Sequence, residues 1–378
     1  MAIVRIEAAH YALPLKKPTR ISTRNVSTRS FVVVKVVDDE GQVGWGYTYV
    51  GTVGGADVAS FIENALAPTV IGSRRSDPVG LWGLLYQEVL LVGRRGLAIR
   101  ALSALDIALW DLLGRRLGVA LATLLGGDAT ARIPAYASGG YYIAGSAHPA
   151  DAVRAEIESN RAAGFSDHKI KVGGLSVEED AQRVAAAISA IDGSGRLALD
   201  ANNAYRDVPE ANRALRLFRE AADGEIWWFE EPLSPDNVHG HAELARRNPD
   251  VPIATGEIHQ TRWDFAQLLS TGAAAYLQLD AGVAGGITEY LRIAAAAEAA
   301  DIRVAPHWHA NVHAQLAAAS TNHVAVEHFL LEKDIYNFER IVTPETRLGF
   351  EDGFVTLPDA PGIGVEFDQR ALDEFRTG

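Results

Sequence analysis

Three observations predict an α/β fold: a (β/α) barrel of parallel strands, preceded by an α+β domain. The first is a change of texture at Ile133, where strands followed by helices give way to strand and helix in alternation. The second is spacing. From Lys171 onward, polar residues end short apolar runs at intervals of 29, 30, 27, 23, 27 and 20 residues, each about one strand–helix unit. The third is placement. Tyr136, Lys171, Asp200, Glu230, Glu257, Asp280, His307 and Glu327 stand where strands should stop, and a barrel gathers functional groups at its C-terminal strand ends. A doubly wound open sheet is the weaker alternative, because it collects ligand groups at one switch point and no glycine-rich phosphate loop opens a helix here.

In chain order, residues 2–13 and 31–37 are rich in Val and Ile and read as strands. Asp38-Asp39-Glu40-Gly41 supplies turn chemistry before Val43 to Val50, so 31–50 reads as a hairpin. Pro14 to Ser30, polar and carrying Arg20, Arg24 and Arg29, reads as a lid loop. Helical spacing follows at 57–70, 77–92 and 97–117. The last carries Leu102, Leu105, Ile107, Leu109, Trp110, Leu112 and Leu113 nearly all round, which predicts burial between domains. The α+β capping domain is expected over 1–127, ending at Gly126-Gly127, and the barrel over 128–335. Its helices are predicted at 150–163, 177–191, 209–222, 240–247, 263–270, 287–300 and 312–320. The tail, 336–378, holds Gly349-Phe350-Glu351-Asp352-Gly353 and Pro358 to Val365, read as short strands and turns returning to the first domain.

Composition narrows the function. A chain of 378 residues with 48% hydrophobic and 22% charged residues suits a large globular fold. A formal net charge of -13 repels phosphates and anionic lipid, so the expected partner is a small molecule, neither nucleic acid nor membrane. With no cysteine, a metal here must be held by oxygen or imidazole. The N-terminus lacks the pattern of a signal peptide and no apolar run reaches bilayer length, so a cytoplasmic location is expected.

Asp200, Glu230 and Glu257 at successive strand ends should converge at the barrel mouth, where unneutralised they would repel one another. Oxygen ligands of this kind suit a hard divalent ion with open positions, Mg²⁺ first and Mn²⁺ second. Any one of them alone reads better as a strand-end cap; the set in order carries the metal reading. Lys169 and Lys171 alternate on one strand and so point to the same side. Mutual repulsion and burial are expected to lower their pKa values, making one a usable base. Asp280 and His307 end consecutive strands, and a carboxylate beside an imidazole fixes its tautomer and strengthens it as a base. A lone His at such a position is more often structural. A substrate between Lys171 and His307 would meet a base on each face.

The stretches Lys169-Ile170-Lys171-Val172-Gly173, Asp200-Ala201-Asn202, Trp228-Phe229-Glu230-Glu231-Pro232, Gly256-Glu257, Asp280 to Thr288 and Pro306-His307 resemble the enolase superfamily, within it the mandelate racemase subgroup. The resemblance runs over nearly the whole chain. It implies a modified (β/α) TIM-type barrel with an N-terminal α+β capping domain and a C-terminal return to it. It also implies that Asp200, Glu230 and Glu257 bind Mg²⁺, that Lys171 is one base, and that His307 assisted by Asp280 is the other. Lys169 and Glu327 would hold the substrate carboxylate, with Glu327 protonated to share a hydrogen bond with the developing oxyanion. Glu230 is chosen over Glu231 because the family's ligand lies two residues before the proline. The implied chemistry is abstraction of the proton beside a carboxylate, giving a metal-stabilised enediolate. Expulsion of a β-hydroxyl then gives a 2-keto-3-deoxy acid, whereas reprotonation from the opposite face gives racemisation.

Cycloisomerases and dipeptide epimerases of the superfamily carry a lysine on the sixth strand. Leu277-Gln278-Leu279-Asp280-Ala281 has none, which counts against them. Arg20, Thr23 and Arg24 in the lid and His259, Gln260, Arg262, His309 and Asn311 in strand-end loops favour a polyhydroxy acid over an apolar one. Asn202, Arg20, Tyr136, Ser138 and His309 are the expected substrate-binding residues beside Lys169 and Glu327. The reading is an acid-sugar dehydratase, with a racemase as its near alternative. A non-catalytic barrel that binds a metal-chelated acid is the alternative of another class, and it has no need of two opposed bases. Domains of this type associate, so a homo-oligomer is expected, and Trp45, Trp82 and Trp110 suit a core or an interface equally.

Overall fold

The computed structural model describes residues 2–143, 148–191, 193 and 195–377. The chain opens with β1 (Ile3–Arg20), β2 (Asn25–Asp38) and β3 (Val43–Gly51), an antiparallel sheet in that order. Here the lid expectation needs correcting. Most of 14–30 is strand, paired out to Arg20↔Asn25, and only 21–24 remain as the turn. The polar composition and the arginines suggested a loop, but the strands pair through it; the register jumps from Pro14↔Thr28 to Thr19↔Val26, an irregularity that contains Pro18, which cannot donate to a ladder. The lengthened hairpin reaches the barrel. Arg20 and Tyr142 exchange two backbone hydrogen bonds of 2.9 Å, and Ser22 Oγ donates to the Ala201 carbonyl at 2.6 Å.

Helix α1 (Gly55–Phe61) runs through a π turn at Ile62–Leu66 into α2 (Ala67–Val70), followed by α3 (Pro78–Val89), α4 (Leu97–Leu117) and α5 (Leu121–Leu124). The near-continuous apolar surface of α4 is explained by its two neighbours. One side lies on β3, where a Cβ at Gly44 or Gly46 would sit 2.4 Å from the Ala108 carbonyl oxygen or 2.1 Å from that of Ala104. The other side meets the barrel: Asp106 accepts from Thr288 N at 2.8 Å and Thr288 Oγ1 at 2.7 Å, and Ser103 Oγ accepts from Gly285 N. Trp82 and Trp110 belong to this joint, donating to Gly285 O and Thr288 Oγ1, while Trp45 packs on Phe367.

Strands and helices then alternate: β4 (Ile133–Gly139), α6 (Pro149–Ala162), β5 (His168–Lys171), α7 (Val177–Ala190), β6 (Leu197–Asp200), α8 (Val208–Ala221), β7 (Phe229–Glu230) and α9 (Val238–Arg247). They continue with β8 (Ile253–Thr255), α10 (Thr261–Thr271), β9 (Tyr276–Leu277), α11 (Ala281–Ala284), α12 (Gly286–Ala299), β10 (Arg303–Val304), α13 (Ala310–Ala317) and β11 (Val326–His328). Neighbours from β4 to β10 pair in parallel, β11 pairs with β4, and a parallel bridge Val304↔His323 completes the ring. Helix starts are set by caps that hydrophobic spacing does not reveal. Ser176 and Glu179 form a capping box for α7, and Asp207 accepts from Glu210 N at the start of α8.

The tail divides its contacts. The hairpin β12 (Gly349–Glu351) and β13 (Phe354–Thr356) joins β4 antiparallel at Ile133 and Pro134, the end opposite the functional strand ends. Farther on, Arg115 binds Glu366 and the Val365 carbonyl, and α14 (Gln369–Phe375) leads to Thr377, whose N–H reaches the His10 carbonyl at 2.9 Å. No described helix is long and apolar enough to cross a membrane.

Candidate active site

Strand register builds the site. Lys171 pairs with Asp200 and Asp200 with Glu230, so three functional residues stand level on adjacent strands. Glu257 follows two residues after β8, and oxygens of Asp200, Glu230 and Glu257 lie within 4.8 Å of one another. Glu231 turns away, with φ 43°, to accept hydrogen bonds from Gly256 N, Thr255 Oγ1 and Asn203 Nδ2. Glu332 is exposed, whereas Glu327 is buried in the barrel.

Both lysines reach into the carboxylate cluster. Lys169 Nζ lies 2.9 Å from Glu230 Oε1 and 3.0 Å from Glu327 Oε1, and Lys171 Nζ bonds Asp200 Oδ2. These ion pairs run against the expectation of lowered lysine pKa values. Burial pushes both ammonium groups down, but the attraction of Glu230 and Glu327 for Lys169, and of Asp200 for Lys171, outweighs it and leaves both raised. The expected protonation of Glu327 is overturned by the same network. Burial favours its neutral form, yet Lys169, His307 and Lys171 hold its carboxyl at about 2, and it accepts from Trp308 N at 2.7 Å.

Across the mouth, Asp280 holds two imidazoles. His307 Nδ1 is 2.8 Å from Asp280 Oδ2, and His309 Nδ1 is 2.8 Å from Oδ1, which also accepts from Gly282 N. Despite burial, His309 and His307 keep the Asp280 carboxyl well below the usual carboxylate range. Hydrogen-bonding of Nδ1 to Asp280 leaves His307 Nε2 free to face Glu257 Oε2 at 3.6 Å. Burial lowers the His307 pKa, but Glu257 and the Asp280 hydrogen bond raise it to about 9.

A cavity of about 270 Å³ opens over these groups, lined on the barrel side by Lys171, Asn202, Glu257 and His307. Asn202, at φ 43°, donates its N–H to Asp200 Oδ1 at 2.9 Å, and its Oδ1 has no hydrogen-bond partner among the described residues. The other expected substrate contacts fall elsewhere. His309 is fully buried and accepts from Tyr49 N on Nε2, so both ring nitrogens are used inside the protein. Arg20 donates to the Gly174 carbonyl and lies over the Tyr142 ring, away from this cavity. Tyr136 is buried beneath Lys169 and packs on Trp227 and Trp228, and Ser138 is buried beside Glu327. Arg24 does line the cavity, together with Arg29, Tyr49 and Arg100 from the cap side and Tyr141 from the loop after β4. Arg29 was the readable one, an arginine leading into the Val-rich run of β2. Nothing local to Arg100 marked it.

The residues fit a divalent cation. Burial first, then the neighbouring carboxylates, pushes the Glu230 and Glu257 carboxyls up against the pull of Lys169 and His307, and Glu257 Oε2 has no hydrogen-bond partner among the described residues. A cation among the three would relieve both.

Comparisons with known proteins agree with this geometry. Residues 3–126 match the family described as Mandelate racemase / muconate lactonizing enzyme, N-terminal domain, and residues 152–371 match Enolase C-terminal domain-like. D-galactarolactone cycloisomerase of Agrobacterium fabrum is 34% identical over 373 residues, covering 96% of this chain and 95% of the relative. Arabinonate dehydratase of Saccharolobus solfataricus is 30% identical over 352 residues, covering 91% and 90%. A crystal structure of a racemase from Streptomyces coelicolor with bound magnesium superposes with a TM-score of 0.90 at 30% identity, covering 99% of this chain and all of that one. A cycloisomerase among the relatives removes the ground for setting that class aside. With both parts of the chain matched and the acidic triad in place, the protein belongs to the mandelate racemase/muconate lactonizing enzyme subgroup of the enolase superfamily.

Proposed function

We propose that the protein is a Mg²⁺-dependent acid-sugar dehydratase. The observation that carries this reading is the pair Lys171 and His307–Asp280, on non-adjacent strands, facing one cavity above three carboxylates. Asp200, Glu230 and Glu257 would hold the ion. Bound Mg²⁺ supplies positive charge against the second negative charge that develops on the substrate carboxylate.

The chain's own groups do the rest. Lys169, anchored between Glu230 and Glu327, presents fixed positive charge for the reacting carboxylate, and Asn202 offers its amide. One of Lys171 Nζ and His307 Nε2 removes the C2 proton, for which that group must first be neutral, Lys171 by giving up the proton it shares with Asp200 or His307 by losing the one its carboxylate neighbours favour. The other protonates the departing C3 hydroxyl. The C2–H and C3–O bonds break, water leaves, and the resulting enol becomes the 2-keto-3-deoxy acid. Asp280 keeps His307 in the tautomer that presents Nε2 to the cavity.

The test is incubation with MgCl₂ and a library of aldonates, aldarates and their lactones, with 2-keto acid detected by semicarbazide. Turnover of at least one acid is expected. Absence of 2-keto acid and of C2 proton exchange in D₂O with every member would overturn the reading. Exchange with inversion at C2 and no 2-keto acid would make the protein a racemase, the second reading that two opposed bases support.

A further inference from the structure

Two arginines on the cap side of the cavity are unexplained by the chemistry above. Arg29, on β2, is 4% exposed; its Nε donates to the Ile335 carbonyl at 3.0 Å and its Nη1 to Tyr49 Oη at 3.0 Å. Its guanidinium lies 4.8 Å from the Trp308 ring and 5.7 Å from that of Tyr141, and its buried Nη2 has no hydrogen-bond partner among the described residues. Arg100, in the first turn of α4, donates Nη1 to the Tyr49 carbonyl at 2.6 Å. Among the described residues neither has a carboxylate within ion-pair distance. Arg183, another buried arginine, is paired with Asp180 at 2.7 Å. A guanidinium removed from water is costly unless an anion meets it. Both arginines line the cavity that holds Lys171, Glu257 and His307.

We infer that the substrate is a dicarboxylate, an aldarate or its monolactone, whose second carboxylate is received by Arg29 and Arg100 while the first lies at the acidic triad. This rests on the proposed function for the position of the reacting carboxylate. The cavity has two poles, with carboxylates awaiting a cation on the barrel side and guanidinium groups awaiting an anion on the cap side. A planar fork suits a carboxylate, and the unpartnered Nη2 of Arg29, with Arg100 lining the same cavity, suits two flat oxygens better than the three of a phosphate. Arg24, at the lid turn, adds a third guanidinium to the same wall. In a chain of formal net charge -13, this local reversal of sign is what allows a dianion to dwell there.

The test measures equilibrium binding by calorimetry in MgCl₂ to full-length Lys171→Ala protein, comparing six-carbon aldarates with aldonates of the same configuration and with the 6-phosphoaldonates. Alongside it, kcat/KM of the wild type is measured for the same acids. The aldarate is expected to bind roughly ten- to a hundred-fold more tightly than its aldonate. Arg100→Met should collapse that ratio by weakening the aldarate alone, and Arg100→Lys should restore part of it. Arg29→Met should act in the same direction, with circular dichroism checking that it folds. Equal binding of aldarate and aldonate, an Arg100→Met ratio unchanged from its parent, or tighter binding of the phosphoaldonate would each overturn the inference. Turnover of aldonates without aldarate preference would overturn it and leave the dehydratase reading standing. Aldarate binding that depends on Arg100 without any turnover would uphold the two-pole site and overturn the dehydratase.

Discussion

The barrel mouth and the capping hairpin above it face the same cavity but are built in opposite ways. At the mouth, strand register pairs Lys171 with Asp200 and Asp200 with Glu230, and both lysines are bonded to carboxylates of the site. The hairpin places Ile21, Thr23 and Arg24 on a four-residue turn, held to the barrel through Arg20 backbone atoms and the Ser22 hydroxyl. The first arrangement over-determines a few atoms, as chemistry requires. The second leaves side chains free to change without disturbing the fold, which suits the choice of substrate.

Substitutions should separate the two regions by size of effect. The largest belongs to the acidic triad: Glu230→Gln should abolish Mg²⁺ binding in a calorimetric titration and lower kcat/KM by roughly a thousand-fold or more. Retention of both would break the distinction at its strongest point. Asp280→Asn comes next, because it touches no substrate but holds His307 and His309. A fall of roughly ten- to a hundred-fold in kcat, with KM little changed, is the expected result. Arg24→Ala on the hairpin should raise KM about three-fold and leave kcat near its original value. If kcat fell as far as in Asp280→Asn, the hairpin would be part of the chemistry.

The joint between the two regions gives the smallest effect on activity and a signature in stability. Burial pushes the Asp106 carboxyl up to about 7 against the hydrogen bonds from Thr288. The folded protein therefore keeps a proton that the unfolded chain, with an ordinary value of about 3.9, releases. That contribution is present below about pH 4 and lost as pH rises through about 7. Denaturant titrations from pH 4 to 8 should show a downward slope with rising pH that Asp106→Asn flattens, with turnover unaffected; an unchanged slope would contradict the assignment.

The same contrast explains what could be read without coordinates. A barrel repeats one strand–helix unit, so the intervals between Lys171, Asp200, Glu230, Glu257, Asp280 and His307 carried both the architecture and the level of the site. The lysine pKa values were misjudged because the repulsion between Lys169 and Lys171 was visible as a pattern, while the nearness of Glu230, Glu327 and Asp200 is a product of closure. His309 and Arg20 looked like substrate contacts for a similar reason. A polar residue in a loop does not announce that Asp280, Tyr49 or the Gly174 carbonyl has already claimed it. The hairpin was read as a loop from its polar residues and Arg20, Arg24 and Arg29, and only pairing geometry shows the strands and the irregularity that accommodates Pro18. Arg100 acquires meaning only when α4 is laid against the barrel.

The central claim is that Lys171 and His307 are two proton carriers serving opposite faces of one bound acid. It is tested most directly by following the C2 proton of a turned-over acid by ¹H NMR in D₂O with MgCl₂, comparing wild type with Lys171→Ala and His307→Asn. Neither variant should form 2-keto acid, and for a given C2 configuration one of them should still exchange the proton while the other leaves it untouched. Full dehydration by both variants, or identical exchange by both, would contradict the account.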